Sequence, residues 1–233
     1  MKTFLQFWFT VLLYLVAILF LGLSLAPGIF LVIRVIRATG ATPLLAKSVA
    51  LGFSIAAGYF LFGFTLIFLI GSTRALFRLK LREGEYPIFS KEAMQWAVLN
   101  SLYLLIHYTF MDYLLLTPFA PILLRMMGAK IGKEVQINSK SVFDAPLIEI
   151  GDRTVVGGSA VVIGHSVEHG ILKLKKVVIG KQVTIGAHAT LMPGCTIGDH
   201  AMIGASAVLV KDTKVGPNEV WYGVPAKNSV AAT

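Results

Sequence analysis

From Ile179 to Gly216 the chain reads IGKQVTIGAHATLMPGCTIGDHAMIGASAVLVKDTKVG. An aliphatic residue returns every six positions: Ile179, Ile185, Leu191, Ile197, Ile203, Leu209 and Val215. Glycine follows five of these leads, at Gly180, Gly186, Gly198, Gly204 and Gly216. A small or compact residue stands four after a lead, at Val183, Ala189, Cys195, Ala201, Ala207 and Thr213. A six-residue period fits neither a helix of about 3.6 residues per turn nor an alternating strand. It marks a parallel β-helix, in which each hexapeptide forms one flat side of a prism. The lead residue points inward and stacks on its equivalents above and below. The small residue must fit the same narrow interior. Glycine is expected to relax the backbone near the corners. A β-sandwich has no reason for such a period.

The register runs backward with two faults. Ile150, Val156 and Val162 keep the step, and so do Ile131, Ile137 and Phe143, but a one-residue slip separates Phe143 from Ile150. Residues 168–178 interrupt the pattern before Ile179 resumes it. The reading is about four coils between Ile131 and Tyr222, with one extruded loop. The loop follows Ile163-Gly164-His165-Ser166-Val167-Glu168-His169-Gly170, where the best candidates for chemistry cluster.

The 233 residues are 56% hydrophobic, and the excess lies in the first half. Phe4 to Leu25 carries no charge and spans about 33 Å as a helix, enough to cross a bilayer. Ser48 to Ile70 is similar. The first run is too long for a cleaved signal peptide, and no small-x-small site ends it before Pro27, so it reads as a retained anchor. Gly52, Ser54, Ala56 and Gly58 permit close helix packing in the second. A third segment, Met94 to Leu116, is apolar but carries Gln95, Asn100, Ser101, His107 and Asp112. Ionisable groups at membrane depth are often functional, whereas at the interface they are simply hydrated. Arg74, Arg78, Lys80, Arg82 and Lys91 precede this segment, and the positive-inside tendency places residues 71–93 in the cytoplasm. With the third segment interfacial or re-entrant, the β-helix stays on that side. The expected organisation is transmembrane helices and a basic connection over 1–93, a re-entrant or interfacial helix and bridge over 94–130, and the β-helix over 131–233. Pro118 and Pro121 break the helix before the bridge Ile122–Met127.

The net charge of +9 divides into +7 over residues 1–130 and +2 over 131–233, so it surrounds the apolar helices, where membrane lipid head groups are the natural partners. No segment has the form of a nucleic-acid module. The single cysteine excludes an intrachain disulfide and is compatible with a reducing compartment. Cys195 takes a small inward position and reads as core packing.

These repeats resemble those of the hexapeptide acyltransferase superfamily. That resemblance implies a left-handed prism and a homotrimer. GHSVEH (164–169), the loop, the coils and GVPAK (223–227) are similar to galactoside- and maltose-type acetyltransferases over about residues 150–227. The order of apolar helices, REGEYPIFS (82–90) and TPFAPILLRMMGAKIG (117–132) resembles the membrane-embedded C-terminal region of polylysine-type nonribosomal peptide synthetases. The first family implies His165 as general base, with His169 the alternative. A neutral imidazole, with an unperturbed pKa of about 6.5, removes a proton from a hydroxyl or amine as it attacks a thioester. A carboxylate often orients such a histidine. Glu168 is near in sequence; Asp144 or a carboxylate of a neighbouring subunit are the alternatives. The donor, acyl-CoA or acetyl-CoA, would lie between coils along Ala187, Ala205 and Lys211, with Lys227 near its phosphates. A carrier protein bearing phosphopantetheine is the alternative donor. Lys173, Lys175 and Lys176 form a second basic group, suited to phosphates, a carrier protein, lipid or plain solvent. Ser166 replaces the proline usual in the small soluble enzymes, so acceptor recognition is expected to differ.

The rival enzyme class is the zinc γ-carbonic anhydrases. They need three histidine ligands, and here Pro193-Gly194-Cys195 lacks one. His165, His188 and His200 would have to supply the set across subunits, and no metal is expected. The expected function is therefore an integral-membrane acyltransferase acting on a membrane-associated amine or hydroxyl. An amide-forming enzyme using aminoacyl thioesters and a non-catalytic trimeric scaffold are the alternatives.

Overall fold

The computed structural model describes residues 2–229. The expected domain limits at 1 and 233 fall outside these. Helices α1 (Lys2–Ala38) and α2 (Leu44–Leu76) form a hairpin. Both are long and apolar enough to cross a membrane. They touch through glycine: a β-carbon added at Gly28 would stand 2.7 Å from the carbonyl oxygen of Gly58. Of the small residues on α2, Ser54 and Gly58 are buried, whereas Gly52 and Ala56 are exposed. The close packing thus uses one pair of the expected four. Further along α2, Gly63 receives the Phe110 ring and Gly71 the Met126 side chain.

The connection after α2 carries a strand, β1 (Gly84–Pro87), which the basic composition of 71–93 did not announce. Helix α3 (Lys91–Thr109) follows, its N-terminus capped by Ser90 Oγ accepting from the Ala93 N–H at 3.1 Å. This helix lies against the β-helix. The Tyr103 hydroxyl donates to the Lys140 carbonyl at 2.8 Å, and His107 Nδ1 sits 3.0 Å from the same oxygen. The His107 ring stacks on Phe143. Burial pushes the Tyr103 phenol well above its usual pKa. His107 is thus a buried, partnered residue of the packing, while Asp112 is exposed and pairs with Lys140 at 3.1 Å. Helix α4 (Phe119–Met126) is the bridge. It buries Ala120, Leu123 and Leu124, and Arg125 on its outer face donates to the carbonyls of Ile131 and Gly132.

The coils follow. The first contains β2 (Lys130–Ile131), β3 (Gln136–Ile137) and a single bridge at Val142. The second contains β4 (Ile148–Ile150), β5 (Val155–Val156) and β6 (Val161–Val162). A hairpin, β7 (His165–Glu168) and β8 (Ile171–Leu174), then leaves the prism. The third coil contains β9 (Val177–Ile179), β10 (Thr184–Ile185) and β11 (Thr190–Leu191). The fourth contains β12 (Thr196–Ile197), β13 (Met202–Ile203) and β14 (Val208–Leu209). A partial turn, β15 (Lys214–Val215) and β16 (Val220–Gly223), ends on β17 (Ala226–Asn228), which pairs antiparallel with β16. Within the coils the strands pair in parallel in three sheets, one for each side of the prism. The leads from Ile150 through Leu209 are all buried, as are Val183, Ala189, Cys195, Ala201 and Ala207. Burial pushes the Cys195 thiol up to about 11, as suits a core residue.

Two details correct the sequence reading. In the first coil the inward lead of the third side is Val142, which bridges Val162 and is fully buried, and not Phe143. Phe143 points out and packs on α3. The glycines after the leads do not sit at the strained corner. That left-handed position falls two residues later, at Gln182, His188, His200, Ser206, Asp212 and Asn218. Glycine is needed for close approach of the coils: a β-carbon at Gly186 would lie 2.4 Å from the Ala205 nitrogen in the next coil.

Two polar features hold coils together, and each generates a test. Thr154 is fully buried; its hydroxyl donates to the Gly180 carbonyl at 2.8 Å and accepts from the Val183 N–H at 3.1 Å. Thr154→Val leaves both backbone groups unsatisfied, at about 1–3 kcal/mol each, and is expected to lower the apparent Tm of the detergent-solubilised protein. The hydrogen bond from Lys130, with help from Lys176, holds the Glu149 carboxyl below the usual carboxylate range. A depressed folded-state pKa stabilises above the unfolded value and is lost as pH falls through the folded one. Thermal melts of Glu149→Gln should therefore fall below wild type at neutral pH and converge with it in acid.

Candidate active site

His165 is the first residue of β7, directly where the chain leaves the prism after the third side of the second coil. Its Nδ1 lies 2.6 Å from Asp144 Oδ2. The Gly164 N–H donates to the same oxygen at 2.9 Å. The other oxygen, Oδ1, accepts from Trp96 Nε1 at 2.8 Å and Asn100 Nδ2 at 3.1 Å, both on α3. A carboxylate has about four acceptor positions, and these four groups occupy them. With Nδ1 donating to Asp144, Nε2 is left as the basic nitrogen of His165. The Trp96 ring stands edge-on to the imidazole, centroids 4.8 Å apart, and fixes its orientation. The Asp144 side chain is sealed from solvent while that of His165 is 27% exposed.

The faulty register builds this site. Ile137 to Val142 is five steps, and Val142 to Ile150 is eight. The longer step turns outward at Asp144, in the left-handed conformation (φ 57°, ψ 43°), and continues as a short 3-10 helix over Ala145–Leu147. Asparagine and aspartate tolerate that conformation better than most residues. The excursion lifts the carboxylate beneath Gly164 and His165 in the coil above.

The other sequence candidates divide. Glu168 does not orient His165. It contacts Lys211 of the fourth coil and Lys173 at 3.3 Å, while Lys173 also reaches Glu85 at 3.4 Å. The orienting carboxylate is Asp144, because only its loop lies under the histidine. His169 is exposed in the left-handed turn of the hairpin. Lys175 pairs with Asp212 at 2.6 Å and Lys176 with Glu149 at 3.2 Å, so these loop lysines serve the packing of the hairpin base. Ala187 and Ala205 are exposed on adjacent coils, joined by the Ser206 N–H donating to the Ala187 carbonyl at 2.8 Å. They occupy one edge of the β6–β11–β14 side, and the hairpin leaves from the other. Lys211 is at the hairpin's edge; Lys227 is exposed on β17. His188 and His200 occupy exposed corners, and among the described residues no three His, Cys, Asp or Glu side chains converge to hold a metal.

Sequence reasoning missed Trp96, Asn100 and β1. The polar residues on an apolar third segment were the available signal, and Asn100 is one of them. Strand β1 pairs antiparallel with β8, which pairs with β7, so the hairpin becomes a three-stranded sheet. Ser166 Oγ is buried beside the histidine with no hydrogen-bond partner among the described residues.

Residues 176–211 match the family described as bacterial transferase hexapeptide (six repeats). That stretch is the third coil and most of the fourth. Over 117 residues the chain is 27% identical to the delta-poly-L-ornithine synthetase of Acinetobacter baumannii, covering 50% of this chain and 9% of the synthetase. Over 105 residues it is 34% identical to the galactoside O-acetyltransferase of Escherichia coli, covering 42% of this chain and 51% of the enzyme. It thus spans about half of the one relative and a small part of the other. A hexapeptide-repeat acetyltransferase of Vibrio cholerae, solved with acetyl coenzyme A, superposes with a TM-score of 0.50 at 20% identity, over 66% of this chain and 96% of that one. At that identity the likeness bears on the fold.

The two carboxylates can be told apart in solution. In Asp144→Asn the acceptor of the Nδ1 proton is weakened, so nitrogen NMR of histidine-labelled protein should show His165 losing its Nδ1–H tautomer. Glu168→Gln should leave that signal in place.

Proposed function

We propose that this chain is a membrane-anchored acyltransferase with His165 as its general base. The observation that carries the reading is the Asp144–His165 contact at the mouth of the extruded hairpin. Asp144 holds the Nδ1–H tautomer. Nε2 takes the proton of an amine or hydroxyl as that atom attacks the carbonyl carbon of a thioester. The tetrahedral adduct collapses, the carbon–sulfur bond breaks, and the thiolate leaves with the proton that His165 returns. The products are an amide or ester and a free thiol.

The donor is an acyl thioester of coenzyme A, acetyl-CoA included, or of phosphopantetheine on a carrier protein. The small side chains of Ala187 and Ala205 leave backbone groups open to a pantetheine arm, and Lys227 is free to meet phosphates. Lys211 enters that role only by releasing Glu168. The prism is left-handed and the assembly a homotrimer, in which a neighbouring copy brings its groove to this base. The family match and the likeness in fold support the prism itself. Helices α1 and α2 cross the cytoplasmic membrane, with residues 71–93 and the β-helix on the inner side, so the acceptor is membrane-associated.

A second reading draws on the longer match, to the poly-ornithine synthetase. There the donor would be an aminoacyl thioester and the product an amide, with the same base. Mass spectrometry of lipid and small-molecule extracts from cells with the wild-type chain, with His165→Ala or with neither identifies the transferred group. The wild type should add one acyl or aminoacyl mass that His165→Ala does not. With that acceptor in hand, the purified variant should be slower by about 10²–10⁴-fold. A wild-type rate would overturn the assignment of the base.

A further inference from the structure

Trp96 donates its indole N–H to Asp144 and packs edge-on against the His165 ring. It also lines a cavity of about 450 Å³ between α1, the start of α3 and the hairpin. Phe9 and Leu13 of α1, Met94 and Ala97 of α3 and Leu172 of β8 lie in its largely apolar wall, which Gln6 and Thr10 of α1 interrupt. Among the described residues no charged residue and no coil residue lines it. Its volume is within the usual range of small-molecule pockets, about 300–1,000 Å³. On α1 the neighbours of Phe9 and Leu13, namely Phe7, Trp8 and Leu12, are exposed apolar side chains. The cavity therefore lies at the flank of the helix most suited to lipid and shares a wall with the base.

We infer that the acceptor is an amphiphile whose aliphatic chain occupies this cavity, leaving its amine or hydroxyl at His165. This rests on the acyl-transfer reading and names the substrate class for it. The chain belongs to the acceptor and not the donor, because the donor's pantetheine follows the coils and no described coil residue lines the cavity.

The test uses the full chain in phosphatidylcholine nanodiscs and, as probe, hexadecylamine carrying a mid-chain diazirine. After photolysis, peptide mass spectrometry should find label at Phe9, Leu13, Met94 or Leu172. Met94→Trp and Ala97→Trp each fill the cavity, one from its rim and one from its wall. Each should lower that labelling by about tenfold, a loss readily separated from background, and leave label on the outward Phe30 and Phe53 unchanged. Label confined to Phe30 and Phe53, or cavity label untouched by both substitutions, would sink the inference. His165→Ala keeps the two readings apart: it should retain cavity labelling while losing acyl transfer. If labelling stays and transfer is also unchanged, the cavity assignment stands and only the base is lost.

Discussion

The interior of the prism admits one branched aliphatic and one small side chain per six residues, and nothing more. That steric limit governs the rest of the molecule. Close packing of Gly186 against Ala205 in the next coil leaves no room for an extra residue to be absorbed. A surplus must leave the prism at a corner. It does so twice, at Asp144–Leu147 and at the β7–β8 hairpin. Both excursions leave from the third side of neighbouring coils, so they meet. Asp144 and His165 are in contact because the same rule expelled both.

Contact alone would not make a stable pair. A buried carboxylate is costly unless its oxygens are satisfied. Gly164 supplies one donor from the coil, and Trp96 and Asn100 supply two from α3. The helix is held in turn by Tyr103 and His107 on the Lys140 carbonyl. The third apolar segment therefore spends Trp96, Asn100, Tyr103 and His107 on the β-helix. Those residues looked anomalous on a membrane helix because their partners lie more than thirty positions away in sequence.

This arrangement couples the helical half to the candidate site. Trp96 meets the His165 ring and also lines an apolar cavity beside α1. Strand β1 extends the hairpin that carries His165. The apolar half is thus part of the surroundings of His165.

Periodicity alone made the coils legible, since a narrow prism repeats the same steric demand every six residues. It also marked both places where the chain leaves, and the opening that holds His165. Local pattern could not choose the histidine's partner. Glu168 is three residues away yet turns to Lys211 and Lys173, while Asp144, twenty-one residues back, lies directly beneath. Nor could it tell Phe143 from Val142 as the inward lead, because both are apolar and the slip hides which one faces in. The tertiary structure decided those points, and it added Trp96, Asn100 and β1. Coil stacking and helix docking bring these distant residues together, and neither leaves a period in the sequence.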